Sequence, residues 1–135
     1  MLVVEDNSAD ILLIREAIEA LGLPVTFHIV KDGEEAIEFF DYADASPDAP
    51  CPDLVILDIN LPKHDGGQVL EYMRMSERCR DALVLAVSTS DSPRDQKRMA
   101  ELGANGYFHK PSEFDAFMKL GPVVQRLLGL GPQNA

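Results

Sequence analysis

Leu54-Val55-Ile56-Leu57-Asp58-Ile59-Asn60-Leu61-Pro62 is the stretch whose reading decides the fold. Four apolar residues, Leu54 to Leu57, run without alternation into a carboxylate. A strand with one wet face alternates apolar and polar residues, so an unbroken apolar run suits a strand buried on both faces. Pro62 has no N–H to donate and ends regular structure soon afterwards. Asp58 then stands at the carboxyl end of a central strand, where open α/β sheets bind their ligands. On this stretch alone, Asp58 reads equally well as a strand-ending residue that starts a turn.

Outward from it, strands and helices alternate. Met1-Leu2-Val3-Val4 is a first strand whose beginning is nearly missing, followed by Glu5-Asp6. Asn7 or Ser8 can cap a helix carrying Ile11, Ile14, Ile18 and Leu21 at helical spacing, with Gly22 as its stop. Val25 to Val30 reads as a second strand, Asp32-Gly33 as a turn, and Glu34 to Tyr42 as a second helix burying Ala36, Ile37 and Phe40. The segment 43–52, with three prolines and no periodicity, reads as a long loop before the central strand. Asp65-Gly66 opens a third helix on Val69, Leu70 and Met73. Leu83 to Val87 is a fourth strand, leading into Ser88. Ser92-Pro93 starts a helix that Gly103 stops. Gly106 to His109 is a fifth strand, broken by Lys110-Pro111. The last helix begins near Glu113 and is expected to bury Phe114, Phe117 and Met118. Gly121-Pro122 should kink or restart it, leaving Val123 to Leu128 as a further helical piece.

Strand followed by helix, five times, predicts a parallel sheet covered on both faces through right-handed crossovers. Five strands fit the three-layer, flavodoxin-like α/β order 2-1-3-4-5. A chain of 135 residues is long enough for one ordinary core. One domain is read over residues 1–128, with a short tail at 129–135.

The formal net charge of −11 argues against direct nucleic-acid binding, which neutralises phosphates with Lys and Arg. No apolar run approaches the roughly 20 residues of a membrane span, and acidic residues at Glu5 and Asp6 spoil a signal-peptide layout. The expected location is therefore the cytoplasm, with no membrane contact. Cys51 and Cys79 lie far apart and in no CxxC pattern, so both read as reduced thiols of minor structural weight. His28, His64 and His109 lack metal-ligand spacing and read as structural or exposed.

In this topology Glu5, Asp6, Asp58, Ser88 and Lys110 all follow strand ends, so they converge on one edge of the sheet. Carboxylates packed together repel one another, and a hard cation such as Mg²⁺ relieves this with oxygen ligands. A cation, a lysine and a hydroxyl around an exposed carboxylate are what phosphoryl transfer onto that carboxylate needs.

With VVEDN at the start, LVILDINLP followed by Asp65-Gly66, Ser88 after the fourth strand and His109-Lys110-Pro111, the chain resembles the receiver domains of two-component response regulators. The match spans nearly the whole chain. The resemblance implies Asp58 as phosphoacceptor, served by a histidine kinase or a histidine phosphotransfer protein. It implies Mg²⁺ (or Mn²⁺) held by Asp6, Asp58, Glu5 through a water, and the backbone carbonyl of Asn60. Ser88 is then the switch hydroxyl, Lys110 the partner of the phosphoryl group, and Tyr107 the aromatic that follows Ser88 inward. Asn60 and Ser90 flank the path of an attacking water and tune dephosphorylation. A cis Lys110-Pro111 bond is also implied. Two positions depart from the common pattern: Glu5 where aspartate is frequent, and serine instead of threonine at 88.

The reading is a stand-alone signalling switch that acts by docking to other proteins, with no catalysis beyond its own phosphorylation and dephosphorylation. The loop at 43–52 and the segment PDLVILDINLPKHDG resemble the single-domain regulators that partner phytochrome-type kinases. Those relatives dimerise through the face of the fourth helix, fifth strand and fifth helix, where Phe108, Phe114 and Phe117 lie. The rival is a haloacid-dehalogenase-type phosphatase with an aspartate nucleophile. Those enzymes carry a general-acid Asp two residues after the nucleophile, and here that residue is Asn60.

Overall fold

In the computed structural model, residues 1–61 and 63–129 are described; the readings of Pro62 and of the tail from 130 onward lie outside them. Five parallel strands pair in the order β2-β1-β3-β4-β5. They are β1 (Leu2–Val4), β2 (His28–Val30), β3 (Leu54–Asp58), β4 (Leu83–Ser88) and β5 (Gly106–His109). The helices are α1 (Ser8–Glu19), α2 (Gly33–Ala45), α3 (Gly66–Arg74), α4 (Pro93–Glu101), α5 (Phe114–Phe117) and α6 (Leu120–Leu127).

β3 is buried along its whole length, and its side chains alternate between two cores. Val55 and Leu57 join Leu2, Val4, Phe40, Leu70, Met73 and Met99 beneath α2, α3 and α4. Leu54 and Ile56 join Val3, Ile14, Ile18, Phe117, Leu120 and Val124 beneath α1, α5 and α6. Each such side chain contributes ~1.5–3 kcal/mol relative to exposure, which is why the apolar run is unbroken. Asn7, Asp32, Asp65 and Ser92 each cap a helix by accepting a backbone N–H. At Asp65 the cap is a full capping box with Gln68. All of these helix starts follow the carboxyl end of a strand, so their N–H-rich ends face the same edge as Asp58.

Four expectations are corrected. The second strand covers only His28–Val30, not Val25–Val30, because β1 offers just three residues to pair with. α2 runs to Ala45, taking the start of the expected loop. Phe114 is 52% exposed while Phe117 is 2% exposed, since α5 is a single turn and only one of its faces meets the sheet. The restart comes at Leu120, which sets Pro122 in the first turn of α6, where its missing N–H has no helical partner to lose. Gly121 is needed there: a Cβ would stand 2.8 Å from the Ala17 carbonyl oxygen of α1.

The cysteines overturn a further expectation. Cys51 and Cys79 form a disulfide, with Cα atoms 5.4 Å apart. The docking of α2 against α3 brings them together. The Arg78 guanidinium donates to the carbonyls of Ala43 (2.5 Å) and Ser46 (2.9 Å), and the Ser76 hydroxyl donates to Asp44 (2.7 Å). Spacing in the sequence carries no trace of this packing. The Lys110-Pro111 bond is not cis either; among the described residues there is no cis peptide. Trans is the lower-energy form of an X–Pro bond, and the turn is already held by the Lys110 N–H on the Ser88 carbonyl at 2.7 Å.

Candidate phosphoacceptor site

Asp58 is the last residue of β3 and only 5% exposed. Its Oδ1 accepts the Asn60 N–H at 2.9 Å, an Asx-type turn that takes the chain off the sheet. The Ile59 N–H continues onto the Val87 carbonyl (3.2 Å), and the Gly66 N–H closes the loop on the Ile59 carbonyl (3.1 Å). Both roles that the sequence left open for Asp58 are therefore realised: it starts a turn, and it faces a cluster of charged groups.

Glu5, Asp6 and Asp58 each offer a carboxylate oxygen within 4.8 Å of the others. Glu5 is fully buried, its Oε1 accepting the Asn7 N–H at 3.1 Å. Burial pushes its carboxyl up to about 7, the nearby Asp58 adds to the rise, and Lys110 opposes it. Asp6 is exposed at the mouth of the site. Oxygen donors this close, one of them facing solvent, fit a hard divalent cation that keeps some of its waters.

Lys110, just past β5, is 9% exposed. Its ammonium stands 2.7 Å from Glu5 Oε2, 2.9 Å from Asp10 Oδ2 and 3.3 Å from Asp58 Oδ2. Burial alone would lower its pKa, but the hydrogen bonds to Glu5 and Asp10 and the charge of Asp58 outweigh it and raise the pKa further. The ammonium is thus a fixed positive charge. Asp10 was missed in the sequence because a first-turn acid ordinarily only complements the helix dipole. The available signal was its place in the first turn of α1, three residues past the Asn7 cap and so beside the acidic pair Glu5-Asp6.

Ser88 ends β4 and is fully buried. Its Oγ accepts from Asn60 Nδ2 (3.2 Å) and from the Ser90 N–H (3.0 Å). Ser90 in turn donates its hydroxyl to Asp95 of α4 at 2.6 Å, and its carbonyl accepts the Tyr107 hydroxyl at 2.9 Å. Ser88, Ser90 and half-buried Tyr107 are therefore joined through one residue, and that residue is tied to α4. His109 lies outside the cluster, its Nε2 donating to the Thr89 carbonyl at 2.8 Å. His64 serves the loop through its backbone, which rests so closely on Gly33 that no Cβ fits at that position.

Every residue singled out at the strand ends thus meets at one edge: Glu5, Asp6, Asp58, Asn60, Ser88 and Lys110, with Ser90 one hydrogen bond further out and Tyr107 two. The arrangement presents a carboxylate flanked by a permanent cation, an acidic pair and a buried hydroxyl. Chemically, it suits attack by Asp58 on a phosphorus centre whose oxygens are neutralised from several sides.

A family model described as "response regulator receiver domain" matches residues 1–120. The probable methanogenesis regulatory protein FilR2 of Methanothrix harundinacea is 36% identical over 115 residues, covering 85% of this chain and 74% of that protein. Response regulator Rcp1 of Synechocystis sp. is 30% identical over 120 residues, covering 89% and 82%; its Mn²⁺-bound crystal structure superimposes with a TM-score of 0.81 at 29% identity, covering 92% and 89%. The phosphorylated cyanobacterial phytochrome response regulator RcpA superimposes with a TM-score of 0.84 at 30% identity, covering 99% of this chain and 94% of that one.

Proposed function

The chain belongs to the response regulator receiver domain family, and from that premise we propose that Asp58 accepts a phosphoryl group in a divalent-cation-dependent reaction. The observation that carries this reading is the geometry of Lys110 and the acidic cluster around a nearly buried Asp58.

Glu5, Asp6, Asp58 and the Asn60 carbonyl would hold Mg²⁺ or Mn²⁺. When bound, the cation supplies neutralising charge at the phosphoryl oxygens. An Asp58 carboxylate oxygen attacks phosphorus in line, the bond to the donor's nitrogen or oxygen breaks, and the donor leaves with that electron pair. Lys110 meets the charge on the transferred group, and the Asx turn at Asn60 keeps the Asp58 carboxylate oriented. Phosphorylation adds roughly −1.5 to −2 charges. Ser88 turns its hydroxyl toward the new oxygens and leaves the Ser90 N–H. Tyr107, bonded to the same residue, then follows, and α4 responds through Asp95. This is a shift between two populations, driven by the different contacts that the phosphoryl group makes in each. Asn60 and Ser90 flank the water path and set the lifetime of the aspartyl phosphate.

The donor is a sensor histidine kinase or a histidine phosphotransfer protein. A phytochrome-type kinase is the reading that similarity to Rcp1 and RcpA supports. The output is protein–protein docking in the cytoplasm, with no direct nucleic-acid contact. Among the described residues no helix is long and apolar enough to cross a membrane. Self-association would use α4, β5 and α5, where Phe114 is exposed and Phe108 half-buried.

Incubation with acetyl phosphate and Mg²⁺ tests this reading. The protein should take up one phosphoryl group per chain, lose that ability in chelator, and turn over no aryl phosphate in multiple cycles. Sustained turnover would instead favour the dehalogenase-type phosphatase. That outcome is not expected, because the position of its general acid is held by Asn60, whose amide is engaged with Ser88.

A further inference from the structure

Lys110 has three N–H bonds, and Glu5, Asp10 and Asp58 all lie within 3.3 Å of its nitrogen. A phosphoryl group turns the Asp58 carboxylate into a neutral acyl group, so the donor now on Asp58 passes to one phosphoryl oxygen. A second lysine contact to the group requires Glu5 or Asp10 to give way. Glu5 is the costly one to release, because its side chain is 0% exposed and would be left as an unpaired buried charge. The Asp10 side chain is 24% exposed, so water takes over its solvation when the lysine leaves. Its place on α1 does not depend on the lysine either, since its own N–H is held at 3.0 Å by the Asn7 cap.

We propose that Asp10 is a positioning residue acting through Lys110: a resting-state counter-ion that competes with the phosphoryl group and is released when Asp58 is modified. The inference rests on the phosphoacceptor reading of Asp58. Asp10 then sets how readily the site accepts and keeps a phosphoryl group. It also reports the event to the first turn of α1, a second outlet beside the Ser88–Ser90–Tyr107 path.

The test uses beryllofluoride, a phosphoryl mimic, titrated into the full chain with saturating Mg²⁺ and followed by fluorine NMR; the chain has no tryptophan to report binding by fluorescence. Asp10→Asn should lower the half-saturating concentration roughly three- to tenfold, the range expected when a partly exposed, charge-assisted competitor is removed. Asp10→Ala should move it in the same direction, and Asp10→Glu should return it toward wild type. Glu16→Gln, which removes an exposed carboxylate elsewhere on α1, should leave it unchanged. A purely structural role for Asp10 would weaken binding instead. The inference is overturned if Asp10→Asn binds no more tightly than wild type, or if Glu16→Gln gains as much. Should wild type fail to bind beryllofluoride, or Asp58→Asn bind it equally well, the phosphoacceptor reading itself fails. That result is separate from any effect at Asp10.

Discussion

Reduction of the Cys51–Cys79 bond is expected to destabilise the fold by up to about 3.6 kcal/mol. The sulfurs join residues 28 apart in sequence, and the chain-entropy relation gives about 3.6 kcal/mol for a loop of that length. The effect lies in the unfolded chain, which regains the freedom the cross-link removes. In the folded protein, Arg78 and Ser76 hold the two segments together by separate hydrogen bonds, so the reduced protein keeps its structure. A loss of this size corresponds to a guanidinium midpoint lower by about 1 M and a melting temperature lower by roughly 10–15 °C. The assay is denaturation followed by circular dichroism, with and without a phosphine reductant, on wild type and on Cys51→Ser. Cys51 is the better site for substitution because it is only partly buried, whereas Cys79 is 1% exposed and its loss would add a packing defect. Cys51→Ser should match reduced wild type and ignore reductant. Two alkylatable thiols in the unfolded, non-reduced protein would refute the reasoning, as would a wild-type midpoint indifferent to reductant.

Further predictions concern the site and its supports. Gly66→Ala would bring a Cβ to 2.5 Å from the Ile59 Cα and 2.7 Å from the Asp58 carbonyl oxygen. It should therefore cost about 1–3 kcal/mol and slow phosphorylation, both measurable on one preparation. Ser88→Ala leaves the Asn60 amide and the Ser90 N–H without their acceptor, a loss of ~1–3 kcal/mol. Phosphate uptake should persist in that variant, while the Tyr107 ring resonances stop responding to it. Asp44 is held below its ordinary 3.8 chiefly by the Ser76 hydroxyl, with the Arg78 N–H assisting against burial. A carboxyl depressed in the folded state stabilises above its unfolded value, and that stabilisation is lost as pH falls through the folded one. Ser76→Ala should accordingly be less stable than wild type at neutral pH, and the gap in urea midpoints should narrow below about pH 4.

The fold was legible where burial dictates residue type. β3 sits between two cores, so its apolar run could not alternate, and the strand order followed from the regular exchange of strand and helix. The site was legible for a related reason: in a parallel sheet every strand ends at the same edge, so Glu5, Asp58, Ser88 and Lys110 meet although they are scattered along the chain. What was not legible depends on partners that pattern does not name. The length of β2 is set by the three residues that β1 offers. Phe114 is as apolar as Phe117, and only the single turn of α5 decides which is covered. The disulfide depends on how α2 docks on α3, and spacing carries no record of that. Asp10 looks like any first-turn acid until a lysine 100 residues later arrives beside it.

The most direct measurement is the location of the phosphoryl group itself. Protein treated with acetyl phosphate and Mg²⁺ is reduced with borohydride, which converts an aspartyl phosphate to homoserine, and then digested and mapped by mass spectrometry. Homoserine is expected at position 58, absent without Mg²⁺ and absent from Asp58→Asn. Conversion at another carboxylate, or none at 58 in wild type under conditions where the fold is intact, would contradict Asp58 as the phosphoacceptor.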